Sequence, residues 1–314
     1  MSANQQRLLW PNLAVALAAV VWGTTWIPLR QIVAPGIPPG WNGVLIYVAP
    51  ALLSLPLVFG RYRAIRRGGW PLMLVGIAAG TCNGLFAIAI SQGEVGMVIL
   101  LFYLSPIWAT LLERVVLGTP IVRLRWASVA LGIIGMVVLQ GLAGRWPLPS
   151  NVWEWMGLIA GVCWAVALVA AHVARDSTII DKTALQFIFA ALSGLAIILV
   201  LDRQSGGPNI DGILQTWPWI LAVAAFWIVP AMAFSLWGVG RMSPARASML
   251  LMLEAVVGLF SAVLVGGEEL GANKVIGGAL ILAASLVDAL GSSKSGGSSK
   301  SGQETAATAS GDAR

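Results

Sequence analysis

Four tryptophans, Trp22, Trp108, Trp164 and Trp227, stand at or beside the centres of long apolar segments, where a lipid-facing helix carries Leu, Ile, Val or Ala. Hydrocarbon offers an indole N–H no acceptor, so such residues should face protein or a watery cavity. Their flat faces suit an apolar or aromatic body, or an organic cation. Polar residues at the same depth could complete a binding site: Thr24 and Thr25, Thr81 and Asn83, Tyr103 and Ser105, and Glu254. A mid-membrane carboxylate is costly, so Glu254 should be protonated, paired or wetted, and it is the first candidate to bind a solute's ammonium group. Each residue also has a plainer reading. The tryptophans could simply fill a core, and Glu254 could be a structural acid at a helix break. Four tryptophans at one depth, drawn from both halves of the chain, favour the cavity.

Other chemistry lacks its parts. The chain has a single histidine, His172, and no GxSxG, HExxH, paired intramembrane aspartates or nucleotide-binding loop, so an intramembrane enzyme is disfavoured and no cofactor is expected. Cys82 and Cys163 lie within apolar runs, away from any CxxC spacing, and read as small core residues rather than metal ligands.

The elements that position these residues follow from composition. At 58% hydrophobic and 10% charged residues, with a mean hydropathy of +0.85, the chain reads as an integral membrane protein. Its net charge of +6 comes from short basic clusters between apolar runs, a pattern that anchors loops at lipid and argues against nucleic acid. A spanning helix needs about 20 mainly apolar residues. Ten such runs emerge: 9–33, 41–60, 70–92, 95–117, 124–143, 152–173, 183–201, 214–239, 244–266 and 272–290. The first contains Pro28 and Arg30 and reads as a retained helix rather than a cleaved signal. Most other tryptophans, Trp10, Trp70 and Trp155 among them, fall near span ends, as an interfacial belt requires.

With a cytoplasmic N-terminus, one face collects Arg7, the Arg61 to Arg67 cluster, Arg114, Arg123, Arg125, Arg175, Lys182, Arg241 and Arg246. The other holds Arg30, Arg145, Arg203 and Lys274. The positive-inside rule therefore places both termini in the cytoplasm, with the protein in the plasma or inner membrane. Glu113, beside Arg114, reads as an ordinary interfacial charge, and His172 as a capped or solvated histidine. Arg30 should snorkel to the boundary. Glycines at four-residue spacing, Gly76, Gly80 and Gly84, then Gly157 and Gly161, predict close helix crossings, while Gly23 and Pro28 should let the first span bend.

The chain also aligns with itself. YLSPIWATLLERVVLGTP lies over MLEAVVGLFSAVLVGGEE without a gap, placing Leu101 on Leu250 and Val116 on Val265. A second register lays Val20–Gly23 over Val162–Ala165 and Arg30 over His172. Two five-helix halves, 1–145 and 146–290, follow, and an odd helix count inverts the second. The expected fold is therefore all-α, ten transmembrane helices in two inverted repeats, the design in which secondary transporters bind solutes near the midplane. The Ser/Gly-rich segment 291–314 reads as a disordered cytoplasmic tail.

WGTTW in the first span, LSP in the fourth, and LEAVVGLFSAVLVGGEELGANKVIGGALILAASLV across the last two resemble the EamA domains of the drug/metabolite transporter superfamily. The similarity spans about residues 10–290. Gly267–Glu268 and Gly277–Ile281 match best; Thr119–Pro120 and Leu253–Ala255 depart from the usual pattern. The resemblance implies a carrier of small metabolites, often an exporter, with the aromatic amino-acid exporters as the nearest subclass. Its partners would be a small-molecule solute and the bilayer. Organic-cation or drug export is the alternative within the fold, and a structural or sensory membrane protein the alternative outside it. The oligomeric state is not set by the sequence, and a monomer would suffice.

Overall fold

In an apolar solvent, backbone N–H and C=O groups can bond only to each other, and a continuous greasy segment meets that demand as a helix. The computed structural model describes residues 3–29, 37–121, 123–141, 148–201, 207–265 and 271–288, and among these it contains no strand. We number the helices α1 (Ala3–Thr24), α2 (Pro39–Gly60), α3 (Tyr62–Gln92), α4 (Val95–Leu117), α5 (Arg123–Leu139), α6 (Val152–Val173), α7 (Ile179–Leu201), α8 (Ile210–Val239), α9 (Pro244–Leu264) and α10 (272–288). Seven are long and apolar enough to cross a membrane, and Leu9–Thr24 is a shorter apolar stretch. Each corresponds to one of the ten expected spans. Arg30, the Gly267–Glu268 loop and the tail from Gly291 lie outside the described residues.

Local chemistry sets the ends. Asn151 and Asn209 accept the N–H of Glu154 and Gly212 at the starts of α6 and α8, while Gly118, at φ 69°, takes the left-handed turn that closes α4. α3 begins earlier than the apolar run because Gly69, at φ 63°, joins the basic residues 62–68 to the membrane helix through a kink.

Interruptions matter more than ends. α4 is broken at Tyr103–Leu104 and α9 at Met252. The internal alignment places Tyr103 on Met252, so the two halves break the same helix at the same point. α8 carries a π-turn at Ala224–Ile228, where the Val229 N–H reaches back to the Ala224 carbonyl just before Pro230, which has none to donate. α1 breaks at Thr25, whose N–H donates to the Trp22 carbonyl at 3.1 Å. The break falls between Gly23 and Pro28, where the sequence predicts a bend, and Gly23 also serves packing. A Cβ there would stand 2.6 Å from the Glu254 carbonyl, so the glycine lets α1 and α9 touch.

The halves interlock rather than sit side by side. α3 packs against α6 and α7, α2 against α7, α4 against α6, and α1 against α8 and α9. The expected glycine crossings are present. A Cβ on Gly80 would meet Phe189 Cβ of α7 at 2.5 Å, and one on Gly161 would meet the Phe102 carbonyl of α4 at 2.6 Å. Small residues thus bring backbones together where apolar burial gives little drive.

Candidate solute-binding site between the two halves

Two connected cavities lie where the halves meet. The deeper has a volume of about 70 Å³ and the wider about 730 Å³; both are lined by Trp22, Tyr47, Phe86, Tyr103 and Glu254. The wider one runs to Asn42, Ser91, Gln140 and Lys274, at the ends of α2, α3, α5 and α10 on one face.

The helix breaks build the deep pocket. After Met252 the chain restarts as Leu253–Leu264, which puts Glu254 in a first helical turn, where free N–H groups favour negative charge. Ser105 opens the corresponding turn of α4, and its hydroxyl lies 3.4 Å from that of Ser248 in α9. The Tyr103 hydroxyl stands beside the Glu254 carboxyl without closing a well-formed hydrogen bond. Across from them, α3 contributes Asn83, and α1 and α6 contribute Trp22 and Trp164. Trp22 donates Nε1–H to Ser235 Oγ at 3.4 Å.

Asn83 Nδ2, a buried donor at this pocket, has no protein partner, and the Tyr103 hydroxyl has only the loose contact with Glu254. A buried donor left unbonded costs about 1–3 kcal/mol, so the arrangement is suited to a solute or water that completes them.

Of the residues singled out from sequence, Trp22, Asn83, Tyr103, Trp164 and Glu254 come together on the deep pocket, and Thr25 lines the wider cavity. The hydroxyls of Thr24 and Thr25 are spent on their own helix, donating to the Val20 and Val21 carbonyls. Thr81, Trp108 and Trp227 line neither cavity. Trp108 and Trp227 are half-buried against the apolar core, and Trp108 Nε1 has no partner. Tyr47, Phe86, Phe102 and Ser248 also line the pocket; Phe102 stands next to Tyr103, and the others are isolated aromatic or small polar residues. Cys82, read as a small core residue, is buried there beside Asn83.

At the opposite face polar contacts join the halves, and Glu113 corrects its reading as an ordinary interfacial charge. Its carboxylate is buried at the end of α4 and accepts from the Ala245 N–H at 2.9 Å and the Ser243 hydroxyl at 3.1 Å. Ser243 Oγ in turn accepts the Arg246 N–H, and Pro244 has none, so first-half and second-half residues together cap α9. Nearby, Arg125 of α5 pairs with Asp288 of α10 at 2.5 Å, and Ser128 donates to the same carboxylate. Arg61 grips Asp181 of α7 with Nε and Nη2 at 2.6 and 3.0 Å, a hydrogen bond and charge that raise the pKa of the guanidinium. His172 Nδ1 lies 2.8 Å from the Met242 carbonyl, the capped arrangement expected of it.

An all-helical membrane protein whose interlocked halves enclose a mainly aromatic and apolar cavity with one carboxylate, reaching one face, fits the transporter class. Models of the EamA-like transporter family match residues 9–140 and 151–287, five helices each, and the chain belongs to that family. A Clostridium kluyveri protein described as an uncharacterized transporter is similar, 22% identical over 292 residues, covering 87% of this chain and 91% of its own. A crystal structure described only as that of a protein shares the fold at a TM-score of 0.67 and 21% identity, covering 89% of this chain and 97% of its own.

Proposed function

We propose that the protein is a secondary transporter, acting as an exporter, that carries small amine-bearing metabolites, amino acids including aromatic ones, by alternating access through the pocket at Glu254. One observation carries the reading: an aromatic pocket with a single carboxylate, continuous with a cavity that runs to one face, while buried polar contacts join the halves at the other. Glu254 takes the ammonium group, Trp22 and Trp164 flank the apolar body, and Asn83 and Tyr103 donate to an acceptor on the solute. The basic clusters support a cytoplasmic location for that joined face and for both termini. The halves 1–145 and 146–290 then act as the two bodies whose relative rocking moves the opening from face to face. In the inward state the Glu113 contacts with Ser243 and Ala245 part, and the wider cavity closes over Glu254.

Uptake of labelled phenylalanine and threonine into proteoliposomes, with and without a pH gradient, tests this for the native chain and Glu254→Gln. Saturable uptake lost in the variant supports the reading, and acceleration by the gradient adds proton coupling. No uptake above empty liposomes by folded protein would remove amino acids as the solutes.

A further inference from the structure

We infer that residues 62–68, the first turns of α3, hold an anionic phospholipid by its headgroup through Arg63, Arg66 and Arg67. This site goes beyond the carrier reading and does not depend on the solute. In a helical turn, positions i, i+3 and i+4 share one face with Cβ atoms about 5–6 Å apart, so the three guanidinium groups stand together. All three residues are exposed, and among the described residues none of them has a hydrogen-bond or ion-pair partner. Other exposed arginines turn back on their own helix ends: Arg114 and Arg241 donate to the Gly118 and Trp237 carbonyls.

The platform beneath the three is fixed. Ile65, opposite them on the turn, is buried, and Arg61, just before the segment, is spent on Asp181. A Cβ on Gly68 would stand 3.1 Å from Ser177 Oγ, in the turn between α6 and α7, so the backbone runs close against that turn. The kink at Gly69 then separates the segment from the membrane helix. Three like charges held side by side repel one another, and an anion that bridges them relieves the repulsion. Guanidinium groups grip phosphate oxygens two at a time, which makes a phosphate the fitting partner. An aromatic rim assigns that phosphate to lipid. Phe59, Tyr62 and Trp70 flank the arginines in sequence at 77%, 59% and 69% exposed. Such side chains settle at the headgroup boundary, where phosphodiesters lie, and a site for a soluble anion has no use for them.

Native mass spectrometry of the full-length protein in detergent, titrated with phosphatidylglycerol or phosphatidylcholine of the same acyl chains, reads the binding of single lipids. Each cation near an anionic lipid contributes about fivefold, so three set a ceiling of about a hundredfold, and phosphatidylglycerol should bind about tenfold or more tightly than phosphatidylcholine. Arg63→Gln/Arg66→Gln should lose about tenfold or more of that preference. Arg123→Gln/Arg175→Gln removes the same charge from two exposed sites outside the cluster and should lose about twofold or less. Phosphatidylcholine binding, unchanged in both variants, shows that they are folded. Equal binding of the two lipids, or equal losses in the two variants, overturns the inference. Displacement of phosphatidylglycerol by inorganic phosphate overturns the lipid assignment and makes the cluster a site for a soluble anion.

Discussion

Replacing Glu113 with alanine should shift the balance between the two open states of the protein. The carboxylate is buried and holds the Ala245 N–H and the Ser243 hydroxyl at 2.9 and 3.1 Å, bonds between the first and second halves that the proposed alternating access requires to part when this face opens. Hydrogen bonds to a charged group contribute about 1.5–3 kcal/mol each, and water recovers part of that in the open state. A net loss of about 2–4 kcal/mol for the closed face is expected, which is a change of roughly 30- to 700-fold in the equilibrium. Glu113→Gln keeps an acceptor for the Ala245 N–H and should move it only about fivefold, for about 1 kcal/mol. Cys82, native to the deep pocket, is the reporter once Cys163 is replaced by serine. A membrane-impermeant maleimide applied from either side of sealed, oriented vesicles reads which face reaches it. The parent should label fastest from the face that carries Gln140 and Lys274, and Glu113→Ala from the opposite one. Unchanged sidedness in folded Glu113→Ala protein would refute the latch, and the glutamine variant guards against mistaking misfolding for that result.

Other consequences follow from single contacts. Trp164→Ala removes a wall of the deep pocket and should weaken solute binding about tenfold or more while the protein still elutes as a folded species, measured by calorimetry and size exclusion. Gly80→Leu would drive a side chain into Phe189 and the Ala190 nitrogen of α7 and should abolish folded yield in detergent. Gly60→Ala, whose Cβ meets no atom, should leave that yield unchanged. Arg61→Ala strands the buried Asp181 carboxylate with Thr178 as its remaining side-chain partner, so thermal unfolding should move to lower temperature, and Arg61→Lys should recover only part of the loss because it cannot form the two-pronged contact.

Spans were legible because the bilayer imposes one rule on every segment, and hydropathy reports that rule directly. Depth was legible too. Trp22, Asn83, Tyr103, Trp164 and Glu254 share one pocket because residues near the middle of helices that meet must lie at similar heights. Facing was not legible. Trp108 and Trp227 sit near the middle of their spans but turn toward the apolar core, and a helix that is greasy all round carries no periodic signal to say which side is which. Glu113 was missed for a related reason. Sequence places it beside Arg114, whereas its bonds go to Ser243 and Ala245, in the other half of the chain. The repeat links these two successes and failures. It aligns the broken helices α4 and α9, and those breaks release the backbone groups that make a polar pocket affordable in lipid. Yet the halves are no longer chemically equivalent, since Ser105 stands where its counterpart is Glu254. That difference gives the pocket a single carboxyl on the second half, and on the proposed reading a solute bound there would be held by α9 from one side while the first half supplies donors and most of the aromatic faces. If the halves rock as proposed, opening at either face would uncover the solute without breaking the contact between its charge and α9.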